Sequence, residues 1–383
     1  MKVTQIARRW TAALSFVAAA LCAAAYSPGS QAAEQTPHGL VLFSQSHVVP
    51  GDITDATALY ISRVAGGHAM SLTPLTIGTL DLGARWSPHG RDIIFERVAT
   101  ADWFTESQIY RLDRAHGRIQ QITIGKSRHQ FPVWGPRGWI AFIDGGVDNH
   151  QCLALVRPNG GDQHTLFCPG PADGAFQAPQ WSLDGKQLFV EIHYAGTVGL
   201  NPPLYSDVYR VDAATGQATR IFHMEFADPA TLAISPDGTR GIYTWNTTSA
   251  MAIVNFKTGK ITGGEFGNLL GGSPSWSHDN RHFAFSRTIA VQGSQFPFVA
   301  VFAMCAVSGE VRQLTNHPDG FDAYYPVEWS RDDSHILLNR TLRIVDGSNK
   351  GVYNSVNLLD VDTQAISTVA DEGTSDEGAW MEP

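Results

Sequence analysis

The sequence predicts an all-β protein: a single seven-bladed β-propeller of four-stranded blades, with one blade split between the N- and C-termini. Three observations predict it. A phrase made of an aromatic residue, a tight turn and an apolar run occurs six times complete and a seventh time cut short. The copies recur at the length of a propeller blade. A second turn recurs seven times, out of phase with the first.

The phrase reads RWSPHGRDIIF at Trp86, VWGPRGWIAF at Trp134 and QWSLDGKQLFV at Trp181. It returns as AISPDGTRGIY at Ile234, SWSHDNRHFAF at Trp276 and EWSRDDSHILL at Trp329, and AWMEP at Trp380 is the fragment. The intervals are 48, 47, 53, 42, 53 and 51 residues, the spacing of units made of four short strands. Each phrase predicts strand a, a turn and strand b. In Ser235-Pro236-Asp237-Gly238 the proline presets φ and the glycine accepts the left-handed conformation that ends the turn. Gly90, Gly138 and Gly185 take the same slot, and Asn280 and Asp333 take it in two further copies. Asparagine and aspartate are the residues that best tolerate positive φ after glycine. The tryptophan before the turn reads as packing between neighbouring blades.

The second turn runs from Ala65-Gly66-Gly67 through Ala214-Thr215-Gly216 to Val361-Asp362-Thr363. An apolar strand c precedes it and a short strand d follows, often ending in threonine, as in Gln121-Ile122-Thr123. The first of these turns has no tryptophan phrase before it, and the last tryptophan phrase has no later strands. The segment Gly378-Ala379-Trp380 is therefore expected to pair with Leu40–Phe43, closing the ring and leaving no free sheet edge. Six blades with an irregular cap is the alternative.

Residues 1–32 read as a signal peptide. Lys2, Arg8 and Arg9 precede an alanine-rich apolar run, and Ser30-Gln31-Ala32 offers a small-residue cleavage site. Residues 33–383 form the propeller, with no later run of membrane-spanning length. A periplasmic or secreted location follows. Losing the leader takes the 27 basic side chains to 24 against 36 acidic ones, a net charge of −12. That charge disfavours nucleic acid and anionic membranes. Cys152 and Cys168 flank the turn Pro158-Asn159-Gly160-Gly161 almost symmetrically, so a disulfide between them is expected in an oxidising compartment. Cys305 lies in an apolar run and reads as a core residue.

The phrases resemble the PD40 repeats of the TolB-like, WD40-like propeller family. The closest match is Ala178-Pro179-Gln180-Trp181-Ser182-Leu183-Asp184-Gly185, continuing through Tyr209-Arg210-Val211-Asp212 and Thr215-Gly216. Leu314-Thr315-Asn316-His317-Pro318 resembles the family's linker. The resemblance implies the fold and leaves the function open. TolB proper carries an α/β domain before its propeller, and strand-like sequence here begins too early for one. Other members of the family join the propeller to a serine peptidase domain, or are oligogalacturonate lyases with a histidine-bound metal.

Alternating strand direction puts the d–a linkers and the b–c loops on one face. The b–c loops are long over 44–57, 99–107, 193–205, 288–296 and 342–351, and binding residues concentrate on such loops. Residues before strand a are expected to ring the channel mouth on that face: Asp81, Arg128, His129, Asp173, Asp228, Asp322, Tyr324, Asp376 and Glu377. Six of the nine are carboxylates, which suit a basic peptide segment or a calcium or other divalent ion. Trp103, Phe104, Tyr194, Tyr205 and Phe296 are aromatic candidates on the loops. No G-x-S-x-G elbow is present, since Gly272-Ser273-Pro274-Ser275 leads into a strand. His278 and His282 straddle a turn, and no His-Glu-x-x-His supports His129 or His193 as metal ligands. The expectation is a monomeric, non-enzymatic binding module, without a required cofactor, engaging an envelope protein or peptide. The alternative is a propeller enzyme, a lyase or hydrolase, acting on an oligosaccharide.

Overall fold

The computed structural model describes residues 38–47, 56–99, 106–145, 150–170, 174–194, 205–225, 232–244, 251–264, 274–290, 298–316, 322–346, 349–373 and 380–381. The leader and the candidate residues Asp173, Asp228, Asp376, Glu377, Trp103, Phe104 and Phe296 lie outside them. Among the described residues the regular structure is all strand, and no helix is long and apolar enough to cross a membrane.

Among the described residues, strand pairing sorts the strands into seven antiparallel units of strands a to d. The unit that begins at Trp86 runs Thr79–Trp86, Asp92–Ala99, Gln108–Asp113 and Arg118–Gln121. The last complete unit runs Asp322–Trp329, His335–Asp346, Asn349–Asp360 and Ile366–Ala370. In the unit of Trp181, strand a comes in two pieces, Gly174–Phe176 and Gln180–Trp181, on one partner. Neighbouring units touch through single parallel bridges: Thr57 with Leu80, Ser107 with Arg128 and Val299 with Ala323.

The split unit closes as the phase of the two turns requires. Trp380–Met381 pairs with Leu40–His47, with Leu40 opposite Met381 and Val41 opposite Trp380. Trp380 and Met381 pack on the buried cluster of Val41, Phe43, Leu59, Trp86 and Leu337. The Glu328 carboxylate accepts the Trp380 backbone N–H. Gly39 has φ of 121°, and a side chain there would collide with the Met381 carbonyl.

The repeated residues each have a local job. Gly90, Gly138, Gly185 and Gly238 sit at φ between 63° and 75°, with Asn280 at 61° and Asp333 at 59°. The turn serine accepts the N–H five residues on, as in Ser235 to Arg240 and Ser330 to His335 at 3.0 and 2.9 Å. The threonine ending strand d lends its hydroxyl to a strand c N–H: Thr73 to Leu59 at 3.0 Å, Thr123 to Ile109 at 2.8 Å and Thr315 to Val301 at 2.9 Å. These threonines are buried, and they satisfy a strand c donor that would otherwise be orphaned. The tryptophans pack between units as expected. Trp181, Trp276 and Trp329 donate their indole N–H to the carbonyls of Val133, Ala233 and Ser275, each on strand a of the preceding unit.

Cys152 and Cys168 form a disulfide with Cα atoms 4.5 Å apart, and Cys305 is buried. Two sequence expectations differ from the structure. The positive φ of the last c–d turn falls on Gln364, one residue beyond Val361-Asp362-Thr363. The stretch 342–351 is no long loop: strands b and c of that unit extend until Asp346 stands opposite Asn349, because both arms keep an unbroken pairing register.

Candidate functional site

Strand a is the innermost strand of each unit, and its last residues enclose a cavity of about 600 Å³ lined by residues of all seven units. The cavity therefore lies on the ring axis. Trp86, Trp134, Trp181, Trp276, Trp329 and Trp380 contribute to its wall. The residue before five of these tryptophans also faces it, Arg85, Val133, Gln180, Ser275 and Glu328, as does Ala233 before Ile234 in the unit that lacks the tryptophan. Ser87, Pro236, His278 and Arg331, at the a–b turns, line its outer end. The wall mixes apolar and polar groups, with cationic Arg85 and Arg331 and anionic Glu328 among them. Volume and lining match a site for a small molecule or a short peptide.

This cavity sits toward the a–b turns, opposite the long-loop face favoured by loop length. At the long-loop end the described candidates lie on strand a itself. Asp81 is 0% exposed and holds Arg97 through two bonds of 2.7 and 2.9 Å. That pairing raises the Arg97 pKa further above its ordinary value. Asp322 is buried and accepts from Arg340 at 2.8 Å. Both carboxylates are thus already neutralised, which removes them from any simple ring for a cation. Tyr324 is buried in the core shared by the last three complete units. Arg128 approaches the buried Glu96 at 3.9 Å.

His129 is 1% exposed. Its Nδ1 lies 3.0 Å from Gln108 Oε1 and its Nε2 lies 3.2 Å from Ser127 Oγ. Gln108 Nε2 donates to the Gly125 carbonyl, which fixes the amide so that Oε1 faces His129. Nδ1 therefore carries a proton, and His129 serves to tie two units together. His193 lies 2.9 Å from Glu191, whose carboxylate also accepts from Tyr243 across the next unit boundary. Tyr194 and Tyr205 stack on each other with centroids 4.6 Å apart. Among the described residues no group of three histidines, cysteines or acids is placed to hold a metal ion.

His278 and His282 part company. His282 is buried, and burial pushes its imidazole below the ordinary range. His278 is half-exposed and bonded to Asp333, which first by that hydrogen bond and then by its charge raises the His278 pKa. Asp333 also accepts the His278 and Asp279 backbone N–H groups at 2.7 and 3.0 Å. It thereby staples two units, as Asn280 does by accepting from Asp237 N–H at 2.9 Å. This explains why two turns carry an acid or amide in place of glycine. A raised histidine contributes stability that is present below its ordinary pKa and lost as pH rises through the folded value. The stability difference between wild type and Asp333→Asn is expected to be larger at about pH 5 than at about pH 9. Urea unfolding at both values checks it, and an equal difference would remove charge from the contact.

The sequence marks the tryptophans of the cavity wall as packing residues and does not mark the residues before them. Their signal was present: the position before the tryptophan is polar in Arg85, Gln180, Ser275 and Glu328, where a purely packed strand would be apolar.

Fold and cavity together define an all-β propeller with an axial pocket. No protein-family model matches the chain, and a search of curated proteins found no match. Among solved structures, it is similar to an oligogalacturonate lyase of Vibrio parahaemolyticus, with 12% identity over 90% of each chain and a TM-score of 0.59. It is similar to the β-propeller domain of the Trilobed protease of Pyrococcus furiosus, with 12% identity over 88% of this chain and 94% of that one, at 0.59. A puromycin hydrolase matches at 15% identity over 90% of this chain and 55% of its own, also at 0.59. At these identities the likenesses show the propeller fold.

Proposed function

We propose that the protein is an exported, non-enzymatic binding module of the TolB-like, PD40-repeat kind, which holds a peptide segment of an envelope protein in its axial channel. The observation that carries this reading is the axial cavity, about 600 Å³ with walls of mixed apolar and polar groups and charges of both signs. Seven paired strands hold those side chains in place, so little order is lost on binding. Gln180 and Ser275 offer donors and acceptors for an extended backbone, while Arg85 and Glu328 offer charge to its ends or side chains. A periplasmic or secreted monomer belongs to the same reading.

The test places a benzoylphenylalanine crosslinker at Gln180, on the cavity wall, and separately at Ile261, exposed on an outer strand. Illumination of intact cells is expected to trap a polypeptide from position 180 and none from 261. Equal trapping at both positions would remove the axial site. Turnover of an oligouronide by the purified protein with a stoichiometric metal would replace this reading with the enzymatic one.

A further inference from the structure

Strand a of the Trp134 unit carries a backbone outlier. Phe131 has φ of 54°, in the left-handed region that bulky residues avoid. The pairing register breaks there, between Gln130 and Val133. The equivalent position one unit earlier, three residues before Trp86, is Gly83 with φ of 60°. A break falls there too, between Leu82 and Arg85. Both units thus bulge at the same place, and one uses the residue that fits at no steric cost.

The side chain at this position has somewhere to go. A Cβ built on Gly83 meets nothing within 4 Å. Phe131 is 40% exposed although it lies in mid-strand on an innermost strand. Two residues on, Val133 lines the axial cavity. Strand a borders the ring axis, so the open space beside the position lies on the channel side, outside the residues that line the cavity itself. The buried Glu96 of the preceding unit lies close to the bulge. A chain selected for folding alone would carry glycine here, as it does at Gly83. A strained bulge that also exposes a large ring fits a part held for a ligand.

We propose that Phe131 is the specificity platform of the axial site, stacking on an aromatic or large aliphatic side chain of the bound peptide. This rests on the peptide reading above. The platform stands at one end of a wall that carries Arg85 and Glu328, so the peptide is gripped by an apolar anchor at one end and by charge further in.

The experiment selects a phage-displayed random decapeptide library on the full mature protein, then measures affinity of the enriched peptides for wild type, Phe131→Gly and Phe131→Trp. An aromatic or large aliphatic consensus position is expected. Phe131→Gly is expected to lose about tenfold in affinity or more, and Phe131→Trp to retain binding. The melting temperature of Phe131→Gly is expected to match or exceed that of wild type, because glycine relieves the strain. Unchanged affinity in Phe131→Gly would overturn the platform and leave the peptide reading standing. A large fall in its melting temperature would make Phe131 a packing residue and overturn it too. A library that enriches nothing would remove the peptide reading and the platform with it.

Discussion

Removing residues 374–383 is expected to lower the stability of the whole propeller by about 3 kcal/mol or more, the scale of losing a large aromatic from a packed site. The truncation deletes Trp380 and Met381, which pair with Leu40 and Val41 and pack on Phe43, Trp86 and Leu337. It also removes the Trp380 N–H that the Glu328 carboxylate accepts. The edge of Leu40–His47 then lies open along the channel, where it invites pairing with other chains. Thermal melts should fall by several degrees, and aggregation on heating should increase. A truncated protein with an unchanged melting temperature would refute the closure.

The second large effect concerns Asp81. Asp81→Ala is expected to cost about 3 kcal/mol, since breaking a buried pair leaves the partner's charge desolvated. Arg97 is only partly exposed and sits over the rings of Phe95 and Tyr110, at 5.3 and 4.9 Å from their centroids. The double change Asp81→Ala with Arg97→Met should recover much of the loss, because no unpaired charge is left behind. Denaturant unfolding of wild type, single and double variants checks this. A single variant as stable as wild type would return Asp81 to the role of a free mouth carboxylate. Asp322 and Arg340 form the second such pair, so reversing the charge of Asp322 is expected to perturb folding.

The sequence is most legible where the signal is local. Positive φ is demanded within a four-residue turn, so Gly238, Asn280 and Asp333 announce it without any knowledge of the rest of the chain. The disulfide was legible because Cys152 and Cys168 stand nearly symmetrically about one turn, and a hairpin brings such residues together. Closure was legible as a counting argument, since two repeats out of phase leave a strand over at each end. The site was harder to see. Whether Asp81 faces water or Arg97 depends on a pairing register sixteen residues away, which a bulge at Gly83 shifts. His129 looked like a mouth residue for the same reason, and its partner Gln108 lies on the neighbouring unit. Loop length pointed to the long-loop face, whereas the cavity is built by side chains one residue before the tryptophans. Those positions alternate with packing positions, and composition alone does not tell axis from core. Phe131 gave no sequence signal until Gly83 showed the backbone that the position requires.

The channel exists only if the ring closes through the two chain ends, and that is the claim the rest depends on. Leu40 and Met381 stand directly opposite each other, at a separation a disulfide can span. The double substitution Leu40→Cys with Met381→Cys is the most direct measurement. Mild oxidation of the folded mature protein should join the two positions, giving a faster-moving species on a non-reducing gel that reverts on reduction. Two free thiols under the same conditions, in a protein that is otherwise folded, would contradict the closed ring.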